Sequence, residues 1–335
     1  MPKLCLVAAL MIATLREVEH RPLELDDGGA GERWLERHPT LARFALSALS
    51  ARLLLSDEPG YEDIARTCAL LGLASDGRMR QVAAAAVRAL GRGPKGAATL
   101  RFAWSWWYQR AACAALAYQA DRLTPAWVES HVAAPRALPT DGCILVSIHH
   151  FNQRLGFARL SMLVDELGTV AHFRPLPETE PDLAPTDHVL DARTRVRTLS
   201  RFCHRVFGPR MYSPRSGPRR GLDLLRRGGS MIVLSDYVGR VPARILGKRW
   251  FLPPGAIWLA EQSGRPIVPF VLTPAVGQRQ PWQLWCGEPI APKQSELAGA
   301  LEECIRRSPT GWTGWQPWYA APWGELAAED ETEGR

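Results

Sequence analysis

Two adjacent histidines, His149 and His150, close the strand-forming run Gly142-Cys143-Ile144-Leu145-Val146-Ser147-Ile148, and an apolar helical pattern follows them. A strand that ends on histidine projects an imidazole from the rim of a sheet. Imidazole titrates near neutral pH, so it can take the proton of a hydroxyl as that hydroxyl attacks a carbonyl. A second apolar run ends on Ser235-Asp236, which predicts a carboxylate at the same rim. Gly239 follows three residues later, and a residue without Cβ lets the main chain approach a ligand. His172-Phe173-Arg174-Pro175 ends a third strand pattern, and the planar fork of Arg174 suits a phosphate or a carboxylate. Each of these positions also has a plain structural reading: a satisfied strand-end histidine, a turn aspartate, a surface arginine.

Taken in order, these stretches resemble the motifs of the bacterial lipid A acyltransferases, within the lysophospholipid acyltransferase superfamily. His149-His150-Phe151-Asn152-Gln153-Arg154-Leu155-Gly156 is similar to His-Phe-Gly-Asn-Trp-Glu-Leu-Gly, aligned on Asn152 and Leu155-Gly156. His172-Phe173-Arg174-Pro175 is similar to the family's Tyr-Arg-Pro. Ser235-Asp236-Tyr237, Gly239, the run from Leu246 to Gly255 and Leu259-Ala260 follow its Pro-Asp-Gln, Gly, Phe-Phe-Gly, Pro-x-Gly and Leu-Ala series. Gly264-Arg265-Pro266-Ile267-Val268-Pro269-Phe270-Val271 resembles the last motif, a strand whose proline shapes an acyl channel, a role that falls on Pro269. The likeness runs from about residue 63 to residue 322.

The resemblance makes His149 the base and puts Arg154 where the family carries its acid. Five helical residues turn about 500°, so a histidine and the residue five positions on meet only if the histidine precedes the helix. Arg154 cannot take the acid's place, because its guanidinium repels an imidazolium. Loss of the orienting carboxylate costs roughly 10⁴ in turnover in serine proteases. Three readings follow. Another acid replaces it, with Asp236 first and Asp165 or Glu166 behind; an acceptor brings its own anion, bound by Arg154; or the chain is a catalytically silent relative that binds acyl lipid or acyl carrier protein.

The elements that must hold these residues are legible in outline. At 335 residues and 46% hydrophobic, the chain is long enough for a sizeable core. Residues 1–95 read as a helical N-terminal region, 96–322 as an α/β domain and 323–335 as an acidic disordered tail. Strands are predicted at 143–148, 169–173, 230–234, 266–272 and 282–286. Helices are predicted at 100–121, 153–167, 189–207, 218–227, 254–263 and 295–308. The apolar segment from Leu4 to Leu15 rises only about 18 Å as a helix, against a hydrocarbon core of about 30 Å. It reads as a buried or interfacial helix ahead of a targeting segment or shallow anchor.

The net charge is +7. Eleven arginines lie between Arg193 and Arg227, with Asp223 as the only acid among them, which points to an anionic partner or to a solvated helix face. Seven scattered cysteines suggest a reducing compartment and no zinc site. Of 13 tryptophans, Trp312, Trp315, Trp318 and Trp323 crowd the C-terminal region, as in the Trp-rich closing segment of the acyltransferases. They suit either a membrane-water boundary or packing.

The resemblance implies a mixed sheet flanked by helices, of the lysophospholipid acyltransferase type. It also implies transfer of a fatty acyl group from acyl carrier protein or coenzyme A to a hydroxyl or amine of a glycolipid or other amphiphile. The acceptor is expected to be anionic, and the setting is the cytoplasmic face of an inner membrane, with the cytoplasm as second choice. His149 and Asp236 are the expected catalytic pair; Asn152, Arg154, Arg174, Gly239 and Pro269 the expected substrate contacts. No metal and no bound cofactor is implied. Nucleic acid is a poor fit, since only Phe202, Phe207 and Tyr212 interleave the arginines.

Overall fold

The computed structural model describes residues 77–91, 96–135, 138–139, 141–170, 192–213, 215–236, 239–275 and 281–320, and singly Glu62, Ala65, Arg66, Ala69 and Leu73. The Leu4 to Leu15 segment, the strand end carrying Arg174, Trp323 and the acidic tail lie outside the described residues. The helices are α1 (Gly77–Ala89), α2 (Gly96–Tyr118), α3 (Pro125–His131), α4 (Gln153–Leu160), α5 (Ala192–Phe207), α6 (Gly217–Arg226), α7 (Gly255–Ser263), α8 (Gln294–Arg307) and α9 (Trp315–Ala320). Among the described residues, no helix is long and apolar enough to cross a membrane.

Two compact units divide the chain. One comprises Met1–Arg80, Thr99–Thr124 and Phe173–Arg205; the other comprises Gln81–Ala98, Pro125–His172 and Val206–Arg335. In the first, α2 buries Phe102, Trp106, Trp107 and a line of alanines. Its Arg110 stays inside by laying its guanidinium 5.3 Å and 5.0 Å from the Trp106 and Trp107 ring centroids. Arg205 donates to the Ala120 and Leu123 carbonyls at 2.9 and 3.0 Å, which pins the single 3-10 turn Ala120–Arg122 and the residue after it.

The second unit is a mixed α/β layer structure. Strands β1 (Val132–Ala133), β2 (Ile144–Ser147), β3 (Leu167–Val170), β4 (Met211–Tyr212), β5 (Ser230–Leu234), β8 (Ile267–Pro274) and β9 (Trp282–Cys286) form a seven-stranded sheet. Its order is β1-β9-β8-β2-β5-β3-β4, and only β8 with β9 is antiparallel. All four residues of β2 are buried, and successive side chains point to opposite faces, so both faces are covered. Helices α4, α6, α7 and α8 pack on this sheet. Strands β6 (Val241–Ile245) and β7 (Lys248–Leu252) form a separate two-stranded ribbon.

Several expectations shift. The helix predicted to reach residue 167 stops at Leu160, where the chain turns and leaves Met162 and Leu163 exposed. The next strand begins at Leu167, two residues before the predicted start. Gly168 belongs to it because α6 packs too close for a side chain: a Cβ there would lie 2.6 Å from Leu224 Cδ2. The β6–β7 hairpin was not foreseen. Its turn is Leu246-Gly247, with φ of 50° and 79°, as the mirror-image hairpin turn requires. A leucine hides that turn from a sequence reading; Glu302 Oε1 holds it by accepting from the Leu246 N–H at 2.6 Å.

Candidate active site

The parallel register Ser147↔Leu234 aligns the ends of β2 and β5. His149 and Asp236 stand two residues beyond those partners, so the two strands deliver them side by side at one rim of the sheet. Asp236 Oδ1 lies 2.6 Å from His149 Nδ1 and also accepts from the His149 main-chain N–H at 2.9 Å. A carboxylate oxygen accepts, so this contact suits the tautomer that carries its proton on Nδ1. Asp236 is 1% exposed, whereas the His149 side chain is 36% exposed. The carboxylate is sealed and the imidazole is partly exposed.

The other oxygen of Asp236 is held as well. Trp312 Nε1 donates to Oδ2 at 2.8 Å, and Trp250 Nε1 donates to the Asp236 carbonyl at 2.6 Å. A buried carboxylate needs such donors to stay charged without a large desolvation cost. The segment that brings Trp312 also straps the histidine main chain: the Thr313 N–H and Oγ1–H both donate to the His149 carbonyl, at 2.9 and 3.0 Å. Trp312, Trp315 and Trp318 are fully buried and stack edge to face in series. Of the two readings for this tryptophan cluster, packing is the one realised for these three.

His150 has a different fate. Its Nδ1 accepts from the Asn152 N–H at 3.1 Å, so Nε2 is the donor, and it reaches Ser308 Oγ at 2.7 Å. Burial pushes its pKa down to about 3. Gly311 packs on the ring so closely that a Cβ would overlap the imidazole. Both nitrogens are spent inside the fold, which is the satisfied core histidine of the plain structural reading.

The remaining expected residues divide. Asn152 ends the turn before α4 and is 2% exposed, and neither polar atom of its side chain finds a partner among the described residues. Arg154 is half-buried in the first turn of α4. Gly239 has a reason other than ligand approach: a Cβ would overlap the Leu252 main chain, so the ribbon itself demands glycine. Pro269 is buried in β8, an interior strand, where a proline is not expected. It sits where β8 stops pairing with β2, at Val146↔Pro269, and starts pairing with β9, at Phe270↔Cys286. Asp165 and Glu166 immediately precede β3, which runs parallel to the strands carrying the dyad, so they stand at the opposite rim. Glu166 pairs with Arg210 at 3.6 Å.

That ion pair also changes the reading of the arginine-rich stretch. Arg205 and Arg210 are tied into structure, and the acid that meets Arg210 comes from outside the stretch. Arg215, Arg219, Arg220, Arg226 and Arg227 are exposed, the middle three on α6, whose other side buries Leu222, Leu224 and Leu225. Burial pushes the Cys143 thiol up to about 11 and the Cys286 thiol up to about 12, so these two stay far from thiolate at neutral pH.

Sequence reasoning missed Trp312, Trp250, Thr313 and Gly311. The first two stood inside quoted motifs, but nothing in their spacing showed that both indoles face Asp236. No protein-family model matches this chain, and no curated protein matches it.

Proposed function

We propose that the chain is an acyltransferase in which His149 is the general base and Asp236 its orienting acid. The observation that carries this reading is the 2.6 Å contact between His149 Nδ1 and Asp236 Oδ1, with Asp236 buried and the His149 side chain partly exposed. An acceptor hydroxyl gives its proton to Nε2 as its oxygen bonds to the thioester carbonyl carbon. Asp236 stabilises the resulting imidazolium. Collapse of the tetrahedral intermediate breaks the C–S bond, and the departing thiolate takes the proton back from Nε2. The relocated acid supports an active enzyme over a silent relative, because a buried, fully bonded carboxylate aimed at an imidazole is costly to keep without use.

The donor is acyl carrier protein or coenzyme A carrying a fatty acyl thioester, and the acceptor is an amphiphile with a free hydroxyl or amine. Asn152, buried with no side-chain partner among the described residues, supports a role in holding substrate. Arg154 and Arg174 would bind an anionic part of the acceptor, and Pro269 would shape the acyl channel. The protein would work as a peripheral protein on the cytoplasmic face of a membrane.

The test is transfer of acyl groups from both thioesters to membrane glycolipid extracts, read by mass spectrometry, for wild type, His149→Ala and His150→Ala. His149→Ala is expected to abolish transfer while keeping its circular dichroism. His150→Ala is expected to lose stability first and to turn over in proportion to the folded fraction. Undiminished transfer by folded His149→Ala would refute the assignment.

A further inference from the structure

The β6–β7 ribbon carries a charge arrangement that the fold does not need. In a hairpin closed by a two-residue turn, Ile245 and Lys248 flank the turn and the next pair, Arg244↔Arg249, has its side chains closest together. Like charges directly opposite one another destabilise a hairpin. Alternation puts Pro242, Arg244, Arg249 and Phe251 on one face, with Ala243, Ile245, Lys248, Trp250 and Leu252 on the other. The second face is the buried one. On the first, Arg244 and Arg249 are exposed, Phe251 is 44% exposed, and exposed Arg240 precedes the ribbon. The Arg249 guanidinium lies 5.3 Å from the Phe251 ring centroid. No acid occurs between Asp236 and Glu261.

We infer that this outer face docks on an anionic lipid bilayer, with Arg240, Arg244 and Arg249 on headgroup phosphates and Phe251 entering the interfacial layer. Guanidinium forks match phosphate oxygens, and an aromatic ring among basic residues suits the boundary between headgroups and acyl chains. An acidic protein would answer the arginines but would leave Phe251 against charge. A two-stranded ribbon also offers a face and not a groove for a partner helix. The opposite face of the same ribbon holds the site: Trp250 donates to the Asp236 carbonyl at 2.6 Å. Docking by the outer face would therefore set the thickness of one ribbon between the lipid surface and the strand end that carries Asp236. The like-charged pair is then a stability cost accepted for binding. This inference rests on the peripheral membrane setting of the proposed function and names the face that meets the membrane, separately from what His149 does.

Flotation of the full chain with vesicles of phosphatidylcholine, alone or mixed with phosphatidylglycerol, tests it without any turnover. Binding is expected only with the anionic lipid and is expected to weaken steeply as salt rises. Arg244→Glu removes one positive charge, adds a negative one and creates a cross-strand ion pair with Arg249. It is expected to weaken binding about 25-fold, at roughly fivefold for each of the two charge units, while the melting temperature stays level or rises. Phe251→Ser is expected to weaken binding to anionic vesicles with the salt dependence unchanged. Wild-type indifference to anionic vesicles, or wild-type binding by a folded Arg244→Glu variant, would overturn the inference. So would unaltered vesicle binding by Arg244→Glu alongside loss of its binding to acyl carrier protein, which would reassign the face to an acidic protein. Transfer activity is measured separately, so failure of the docking face and failure of the catalytic reading give different results.

Discussion

Trp312 Nε1 donates to Asp236 Oδ2 at 2.8 Å, from a segment 76 residues further along the chain, and so ties the C-terminal strap to the acid that orients His149. The carboxylate thereby has a donor on each oxygen, His149 on one and Trp312 on the other. Its plane is fixed from both sides.

Trp312→Phe keeps most of the ring and removes only the donor. A hydrogen bond to a buried charged group is worth about 1.5–3 kcal/mol, so transfer should fall roughly tenfold to hundredfold with the fold intact. The ¹⁵N spectrum of His149 should also show its Nδ1-protonated tautomer less dominant than in wild type. An unchanged tautomer balance and unchanged turnover would leave Trp312 a packing residue only.

Asp236→Asn keeps the shape and removes the charge. In serine proteases the equivalent change costs roughly 10⁴ in turnover, and a loss of that order in kcat, with KM little moved, is expected here. Asp165→Asn and Glu166→Gln, at the other rim, should leave kcat within about twofold. Steady-state kinetics on the three variants checks the acid assignment against its two rivals.

How far the sequence carried this reading follows from where each signal sat. His149 and Asp236 each end an apolar run, and two such runs pairing in parallel bring their ends to one rim, so their meeting was foreseeable. Trp312 was not, because its contact crosses 76 residues and its neighbours share no period with either strand. The arginine-rich stretch read as more one-sided than it is, since Arg210 finds its acid in Glu166, outside the window counted. Two-residue strands such as β1 and β4 carry no pattern at all. The β6–β7 hairpin was masked by a leucine at a turn position that usually goes to glycine or asparagine.

His150 makes stability depend on pH. Its folded-state pKa of about 3 lies below the ordinary value of 6.5, so between those limits the unfolded chain binds a proton that the folded chain refuses. Stability is therefore full above about pH 6.5 and falls as the pH drops toward 3, by up to about 1.4 kcal/mol per unit from this group. Urea unfolding at pH 7 and pH 5 should show that slope in wild type and a flatter one in His150→Gln, which is less stable at pH 7. Equal slopes would remove His150 as the source.

Gly311→Ala forces a Cβ into the space of the buried His150 ring, and the crowding is against a side chain locked by two hydrogen bonds. A loss of about 2–3 kcal/mol is expected from denaturant midpoints at constant m. A variant within about 0.5 kcal/mol of wild type would mean the strap relaxes easily around the histidine.

The central claim is that His149 and Asp236 work as one unit, and a double-mutant cycle in single-turnover acyl transfer tests it most directly. If the carboxylate acts only through the imidazole, His149→Ala combined with Asp236→Asn should be no slower than His149→Ala alone. Multiplication of the two single losses in the double variant would contradict the account, since it would mean that each residue contributes independently of the other.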